Sequence, residues 1–223
     1  MKNVGIKISI YLNYFVFAIL LNSVGIVIEK SIDVYKVTES QASALEAFKD
    51  LPIAIVSFII ASFLPRFGYK KAMLVALAIV FFGCLQMIFG NSFFYTKVLF
   101  LTIGVSFALI KLSVYSLIGI LTNSRKEHAA LMSSIEGFFM VGIALAYFLF
   151  PAFYSSDENS WLNVYYLLCG LILISFLFLW LDLSLLIFQG LFHLAFFVDY
   201  LMMFLILELF YWVQPLMFQE LML

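Results

Sequence analysis

The sequence predicts an all-α fold, a polytopic membrane helix bundle of six transmembrane helices followed by an atypical apolar C-terminal tail. Hydrophobic residues make up 65% of the 223 residues and charged residues 11%, and the mean hydropathy is +1.13. A soluble domain contains about 45–50% apolar and about 25% charged residues. The apolar residues do not alternate with a period of two, which favours helices over strands. This composition excludes a soluble enzyme.

Six apolar runs are long enough to cross a bilayer, which takes about 20 mostly apolar residues per helix. They extend over about residues 8–28, 45–64, 72–90, 98–121, 133–154 and 162–181. The first run is longer than the apolar part of a signal peptide and lacks a clean cleavage site, so we expect it to be retained as the first span. Cys84 and Cys169 lie inside two of the runs and are interpreted as small buried residues, not as a disulfide or a metal pair.

The basic residues indicate that the N-terminus lies in the cytoplasm, because cytoplasmic segments carry the excess of Lys and Arg. With this orientation the inner segments hold Lys2, Lys7, Arg66, Lys70, Lys71, Arg125 and Lys126, and the outer segments hold Lys30, Lys36 and Lys97. The acidic segment 155–161 has no Lys or Arg and is assigned to the outside. Tyr154 and Trp161 flank it and are expected at the membrane interface. The predicted location is the cytoplasmic (inner) membrane of a bacterium.

The chain changes character near residue 182. No Lys or Arg follows Lys126, and the apolar segment 183–223 contains Asp199 and Glu208. Two interpretations stay open for this tail. It forms one further span or re-entrant piece, or it is out-of-frame sequence in a chain truncated near residue 182. The predicted organisation is therefore a six-helix bundle over 1–182 and a separate tail over 183–223.

The segment ASFLPRFGYKK, residues 61–71, joins the second and third runs. Gly68 permits backbone angles that other residues avoid, and we expect the basic side chains to stay in the headgroup region and hold the orientation. The spacing of Ala61, Arg66, Gly68 and Lys70 resembles the loop signature between the second and third helices of the major facilitator superfamily. The chain departs from that signature with Ala for Gly at 61, Pro for Asp at 65 and Tyr for Arg at 69.

This resemblance covers residues 1–182 and implies the N-terminal six-helix half of a secondary transporter. In such a transporter the substrate binds near the midplane between two halves, which rock to expose it to each side. The resemblance therefore implies a second six-helix half as a partner, either missing or supplied by another copy. With Pro65 in place of the family's acid, that part of the cytoplasmic latch cannot work as usual. The Gly–Pro signature of family antiporters is missing from the fifth run, which favours a symporter or a uniporter.

Lys111 is the most unusual residue inside a run. It lies ten residues before Leu121, or about 15 Å from the end of a helix. A Lys at the centre of a membrane helix costs about 2.5–3.5 kcal/mol on insertion scales. We therefore expect a carboxylate, backbone carbonyls or cavity water to receive it, in a substrate pathway or in a purely structural pair. Tyr115 is one turn further and shares its face. Glu136 is the candidate partner, although its estimated depth differs by about 10 Å.

Two further polar positions are candidates for the substrate or proton pathway. Asp50 and Glu46 share a helix face, and Lys49 beside them is expected to neutralise one of the two acids. If it is buried, Asp50 would accept protons; otherwise it belongs to a solvated helix end. Asn22 interrupts the first run and needs a hydrogen-bond partner. It either binds a hydroxylated substrate or ties two helices together.

The resemblance, taken with these residues, implies a secondary transporter for a small polar solute, such as a sugar or another metabolite, with proton coupling through Asp50 or Glu136. The expected partners are the lipid bilayer, the solute and protons. His128 and His193 have no metal-ligand neighbours, and no phosphate-binding loop or nucleophile–base set is present, so we expect no cofactor, metal or nucleic acid. Two alternatives stay open: a structural or assembly membrane protein in which Lys111 only pairs helices, and a lipid-modifying membrane enzyme.

Overall fold

A computed structural model describes residues 4–90, 92–155, 157 and 159–181. These residues fall within one compact unit, Met1–Leu183. Their regular secondary structure is helical, without a strand in the described ranges. The two interpretations of the tail at 183–223, a further span or out-of-frame sequence, concern residues outside these ranges.

The described residues form eight α-helices. They are α1 (Val4–Asn22), α2 (Val24–Tyr35), α3 (Glu39–Ala61), α4 (Leu64–Phe67), α5 (Tyr69–Phe89), α6 (Phe93–Leu121), α7 (Arg125–Leu149) and α8 (Val164–Leu181). Two short 3-10 helices, Pro151–Phe153 and Ser160–Asn163, lie between α7 and α8. Across Ser23 the backbone hydrogen bonds continue, since the Ser23 N–H donates to the Ile19 carbonyl and the Val27 N–H to that of Ser23. α1 and α2 are therefore two parts of one long helical segment.

Five helical segments in this part of the chain are long and apolar enough to cross a membrane. They are Gly5–Tyr35, Tyr69–Phe89, Phe93–Leu121, Arg125–Phe153 and Ser160–Leu181. They coincide with the first, third, fourth, fifth and sixth predicted runs. The described part of the chain therefore has the build of an all-helical integral membrane protein.

The second predicted run is also helical, as α3, but α3 is not among those five segments. Its first half carries Glu46, Lys49 and Asp50, which make it more polar than the others. The helix begins earlier than the apolar run because Thr38 and Gln41 form a capping box. The Gln41 N–H donates to Thr38 Oγ1 at 3.3 Å, and the Thr38 N–H donates to Gln41 Oε1 at 3.1 Å.

The helices pack as a chain of neighbours. α6 packs against α3 and α5, α5 also packs against α8, and α1 packs against α7 and α8. Glycines allow two of these contacts to be close. A Cβ atom on Gly104 of α6 would collide with the Lys49 carbonyl oxygen of α3, and one on Gly142 of α7 would collide with Ala18 of α1. At both places the backbones approach more closely than larger residues would allow.

Candidate functional site

Polar and aromatic side chains meet where α1, α6 and α7 come together. Phe107, Lys111 and Tyr115 follow one another at four-residue intervals and so form one stripe along α6. Tyr14 of α1 and Phe139 of α7 lie beside this stripe, with their ring centroids 5.8 Å apart. The Tyr14 ring is 6.4 Å from those of both Phe107 and Tyr115. We call Tyr14, Phe107, Lys111, Tyr115, Glu136 and Phe139 the Lys111 cluster.

Tyr115 links the two charged residues of the cluster. Its hydroxyl donates a hydrogen bond to Glu136 Oε1 at 3.0 Å, and the Lys111 ammonium lies over its ring at 5.8 Å from the centroid. Among the described residues no carboxylate oxygen lies within 4.0 Å of Lys111 Nζ. The direct ion pair between Lys111 and Glu136 is therefore not formed in this structure, because the phenol of Tyr115 connects them instead.

The ammonium of Lys111 is only partly compensated by the groups around it. Lys111, Tyr115 and Glu136 are all half-buried. A cation over an aromatic face within about 6 Å gains about 0.5–2 kcal/mol, and 5.8 Å is near the outer limit of that range. A charge in the middle of a membrane helix costs about 2.5–3.5 kcal/mol. The ring alone does not offset this cost, so the position calls for a further polar or negative group.

Asn22 and Asp50, the other two predicted pathway residues, lie outside the Lys111 cluster. The Asn22 side-chain amide donates to the Ala18 carbonyl of its own helix at 2.9 Å, so this bond ties no second helix to α1. Asn22 is about 12 Å along the helix from Tyr14. Asp50 is exposed at 64% of its side chain, with Oδ1 3.5 Å from Lys49 Nζ. The expectation that Lys49 neutralises one acid is confirmed, whereas the burial required for Asp50 as a proton acceptor is not found.

In the loop motif, Gly68 has a positive φ and Lys70 is buried against α8. Gly68 has φ 92° and ψ 128°, a conformation that residues with a side chain rarely adopt. Lys70, expected at headgroup level, is only 7% exposed, and its ammonium donates to the Trp180 carbonyl at 3.5 Å. The reason is that α5 and α8 lie side by side, and the last carbonyls of a helix attract a cation. Arg66 is exposed, and Ala61 is the last residue of α3.

The contact of Lys70 also shows which residues lie at the same end of the bundle. Lys70 touches the C-terminal end of α8, whereas Asp157 precedes the N-terminal end of the same helix. α8 has 18 residues, which span about 27 Å. Lys70 and Asp157 therefore lie at opposite ends of α8, as alternating spans require.

At the Asp157 end of the bundle, the end of α2 meets the segment after α7. The Lys30 ammonium lies over the Tyr154 ring at 4.0 Å from its centroid. Burial, and after it the negative charges of Glu29 and Asp33, raise the pKa of Tyr154 above its ordinary value, so its hydroxyl stays protonated. Trp161, expected at the membrane interface, lies at this end of the bundle and is only 1% exposed, because its ring packs between those of Tyr35 and Tyr165.

Sequence reasoning missed several residues at or beside the site. Phe107, Phe139 and Tyr14 gave no signal, because the chain has 27 phenylalanines and 12 tyrosines. Asn13 is fully buried, its amide donates to the Ser9 carbonyl, and its Oδ1 accepts no hydrogen bond from a described residue. A lone amide in an apolar run, the argument applied to Asn22, would have found it.

The remaining chemistry-bearing side chains add no second site. Cys84 and Cys169 are buried free thiols on α5 and α8. Within the described ranges, no group of three or more His, Cys, Asp and Glu residues is arranged to hold a metal ion. We compared the sequence with protein-family models and with curated proteins and found no match.

Proposed function

We propose that the chain is one six-helix half of a secondary transporter, which carries a small polar solute past the Lys111 cluster. The observation that carries this proposal is the ammonium of Lys111, held within the bundle without a carboxylate in direct contact among the described residues. A purely structural Lys in a membrane helix is expected to have a direct partner, since its charge is costly there. The half-buried Lys111 is still accessible to a solute.

The proposal counts α3 as the second of six spans. α3 has 23 residues and is about 35 Å long, enough for the hydrocarbon core. It packs along α6 and is followed by the turn at Gly68, as the resemblance to the major facilitator superfamily implies. With six spans and the basic residues of the loop inside, the N-terminus lies in the cytoplasm of a bacterial cell.

We assign proton coupling to Glu136 rather than to Asp50. Glu136 is half-buried and accepts a hydrogen bond from Tyr115, whereas Asp50 is exposed and paired with Lys49. α7 packs against α1 and α6. The titratable groups on these two helices are Lys7, Tyr11, Tyr14, Tyr95, Lys97, Lys111 and Tyr115. A proton on Glu136 changes the net charge of the cluster, which couples proton binding to the binding of a charged or polar solute.

A second six-helix half, supplied by another copy of the chain, completes the proposed transporter. The outward face of α7 is rich in exposed apolar side chains, among them Phe138, Val141, Tyr147 and Phe148. In a membrane such a face contacts lipid or another helix bundle. The proposed solute pathway lies beside this helix, between the two halves.

The alternative function is a structural or assembly role. One observation favours it: the bond between Tyr115 and Glu136 joins α6 to α7 and would stabilise the bundle without any transport. In that case Lys111 and Glu136 would matter for stability but not for solute movement.

Uptake into liposomes that contain the full chain tests the proposal. Labelled glucose, alanine and butyrate would be offered one at a time, with and without an inward proton gradient. We expect uptake of at least one solute, and a large loss with Lys111→Met. Lys49→Met is the matched control, because Lys49 lies outside the cluster. If none of the three solutes enters faster than into empty liposomes, the structural role is favoured.

A further inference from the structure

The charges of the Lys111 cluster indicate what kind of solute fits it. The cluster has one ammonium, Lys111, and one carboxyl group, Glu136, whose Oε1 is already bonded to Tyr115. The two arginines of the described residues, Arg66 and Arg125, are exposed in α4 and at the start of α7, away from the cluster. A single ammonium matches the charge of a monovalent anion, whereas a doubly charged phosphate or sulfate group would be only half neutralised and would be repelled more strongly by Glu136.

The surroundings of Lys111 favour an apolar body on that anion. One turn before Lys111, Phe107 is half-buried, and its ring lies 6.2 Å from the half-buried ring of Phe139. Tyr14 is buried beneath both rings. Phenylalanine rings offer no hydrogen-bonding groups to a sugar, and the Tyr115 hydroxyl already donates to Glu136. The cluster therefore pairs one cation with an aromatic wall.

We infer that the cluster binds a small monocarboxylic acid as its anion, with the carboxylate on the Lys111 ammonium and the apolar part against the rings of Phe107 and Phe139. This inference rests on the proposed function and narrows its solute from a polar metabolite to an organic acid. The carboxylate would supply the negative partner that Lys111 does not have among the described residues. The hydrocarbon part would leave water for the aromatic surface, so affinity should rise with apolar area.

Thermal unfolding of the full chain in detergent, followed by tryptophan fluorescence at pH 7.5, tests the inference. The probes are three acids and their uncharged amides: acetate and acetamide, butyrate and butyramide, benzoate and benzamide. A ligand that binds only the folded state raises Tm, and the rise keeps growing with the logarithm of the ligand concentration once this exceeds Kd. At about five times Kd we expect the acids to raise Tm by about 2–4 °C in a chain of this length. Benzoate should reach this shift at the lowest concentration, and the amides should have no effect.

Variants then test whether the acid binds at Lys111. Lys111→Met should weaken benzoate binding at least about tenfold, as the loss of one charge-assisted contact predicts, whereas Lys111→Arg and the control Lys49→Met should retain it. The inference is overturned if the amides stabilise the wild type as much as the acids do, if no acid raises Tm, or if Lys111→Met binds benzoate like the wild type. The comparison of acid with amide needs no variant, so it stands even if Lys111→Met does not fold.

The inference about binding and the proposal of transport can be contradicted independently. Acid-specific stabilisation without uptake of any solute into liposomes would support the binding site and contradict the transporter. Uptake of glucose or alanine without any acid-specific stabilisation would support the transporter and overturn the inference.

Discussion

Tyr115 on α6 donates its hydroxyl hydrogen to Glu136 on α7 across a distance of 3.0 Å. The same phenol carries the Lys111 ammonium over its ring. One side chain thus contacts both charged members of the cluster, through two different parts of its ring system. Removing the hydroxyl separates these two contacts experimentally.

We expect Tyr115→Phe to lower the free energy of unfolding by about 1–3 kcal/mol, because a half-buried hydrogen bond to a carboxyl group is lost while the ring stays. Tyr11→Phe is the matched control. Tyr11 also donates to a residue of α7, Ser134 at 2.8 Å, but that bond is exposed, and water can replace it. Its loss should cost about 0.5 kcal/mol or less. Denaturant unfolding in detergent measures both, and equal losses would contradict the role of the Tyr115 bond.

Gly68→Ala should lower stability by about 1–3 kcal/mol, because alanine must adopt the strained backbone conformation of Gly68. Gly170→Ala provides the control. A Cβ atom on Gly170 would meet nothing within 4 Å, and alanine is the better helix former, so this change should be neutral or stabilising by up to about 1 kcal/mol. The same unfolding measurement compares the two. A Gly68→Ala chain as stable as the wild type would show that the turn does not need glycine.

Lys70→Met should destabilise the chain by about 1–2 kcal/mol through the loss of a cation at the C-terminal end of α8. Lys71 is the neighbouring control, since it is exposed. Lys71→Met should change stability by no more than about 0.5 kcal/mol. If both variants unfold alike, the contact between Lys70 and the Trp180 carbonyl does not stabilise the fold.

Cysteine labelling checks the threading of the spans. In a chain whose own Cys84 and Cys169 are replaced by serine, Asp157→Cys should react with an impermeant maleimide added to intact cells. Arg66→Cys should react only after the membrane is opened, because Arg66 is four residues before Lys70, which contacts the C-terminal end of α8, whereas Asp157 precedes its N-terminal end. Both positions are exposed. Lys126→Cys is the control for the inner side. Labelling of positions 66 and 157 from the same side would contradict the six-span arrangement.

Hydropathy predicted where the helices of this fold lie, but not which helices pack against one another. Each of the six runs is helical, because length and apolar content depend on local sequence alone. The start of α3 was placed at residue 45 instead of 39, since its first turns are polar and are held by the capping box at Thr38. The burial of Lys70 could not be predicted, because it depends on which helix lies beside α5.

For the candidate site too, the sequence predicted a relationship within one helix but not the contacts between helices. The spacing of four residues predicted that Tyr115 shares a helix face with Lys111, and the structure places the ammonium over its ring. The link to Glu136 depends on the register between α6 and α7, which no single-helix pattern contains. For the same reason the depth estimate, which separated Lys111 from Glu136, did not reveal that a tyrosine connects them.

The close approach of α3 and α6 has a consequence for movement. At Gly104 the backbones of the two helices touch without an intervening side chain, so a shift by one residue would bring a side chain of α6 against the Lys49 carbonyl. We therefore expect α3 and α6 to move together. Any rocking of the bundle must then occur at the contacts between other pairs of helices.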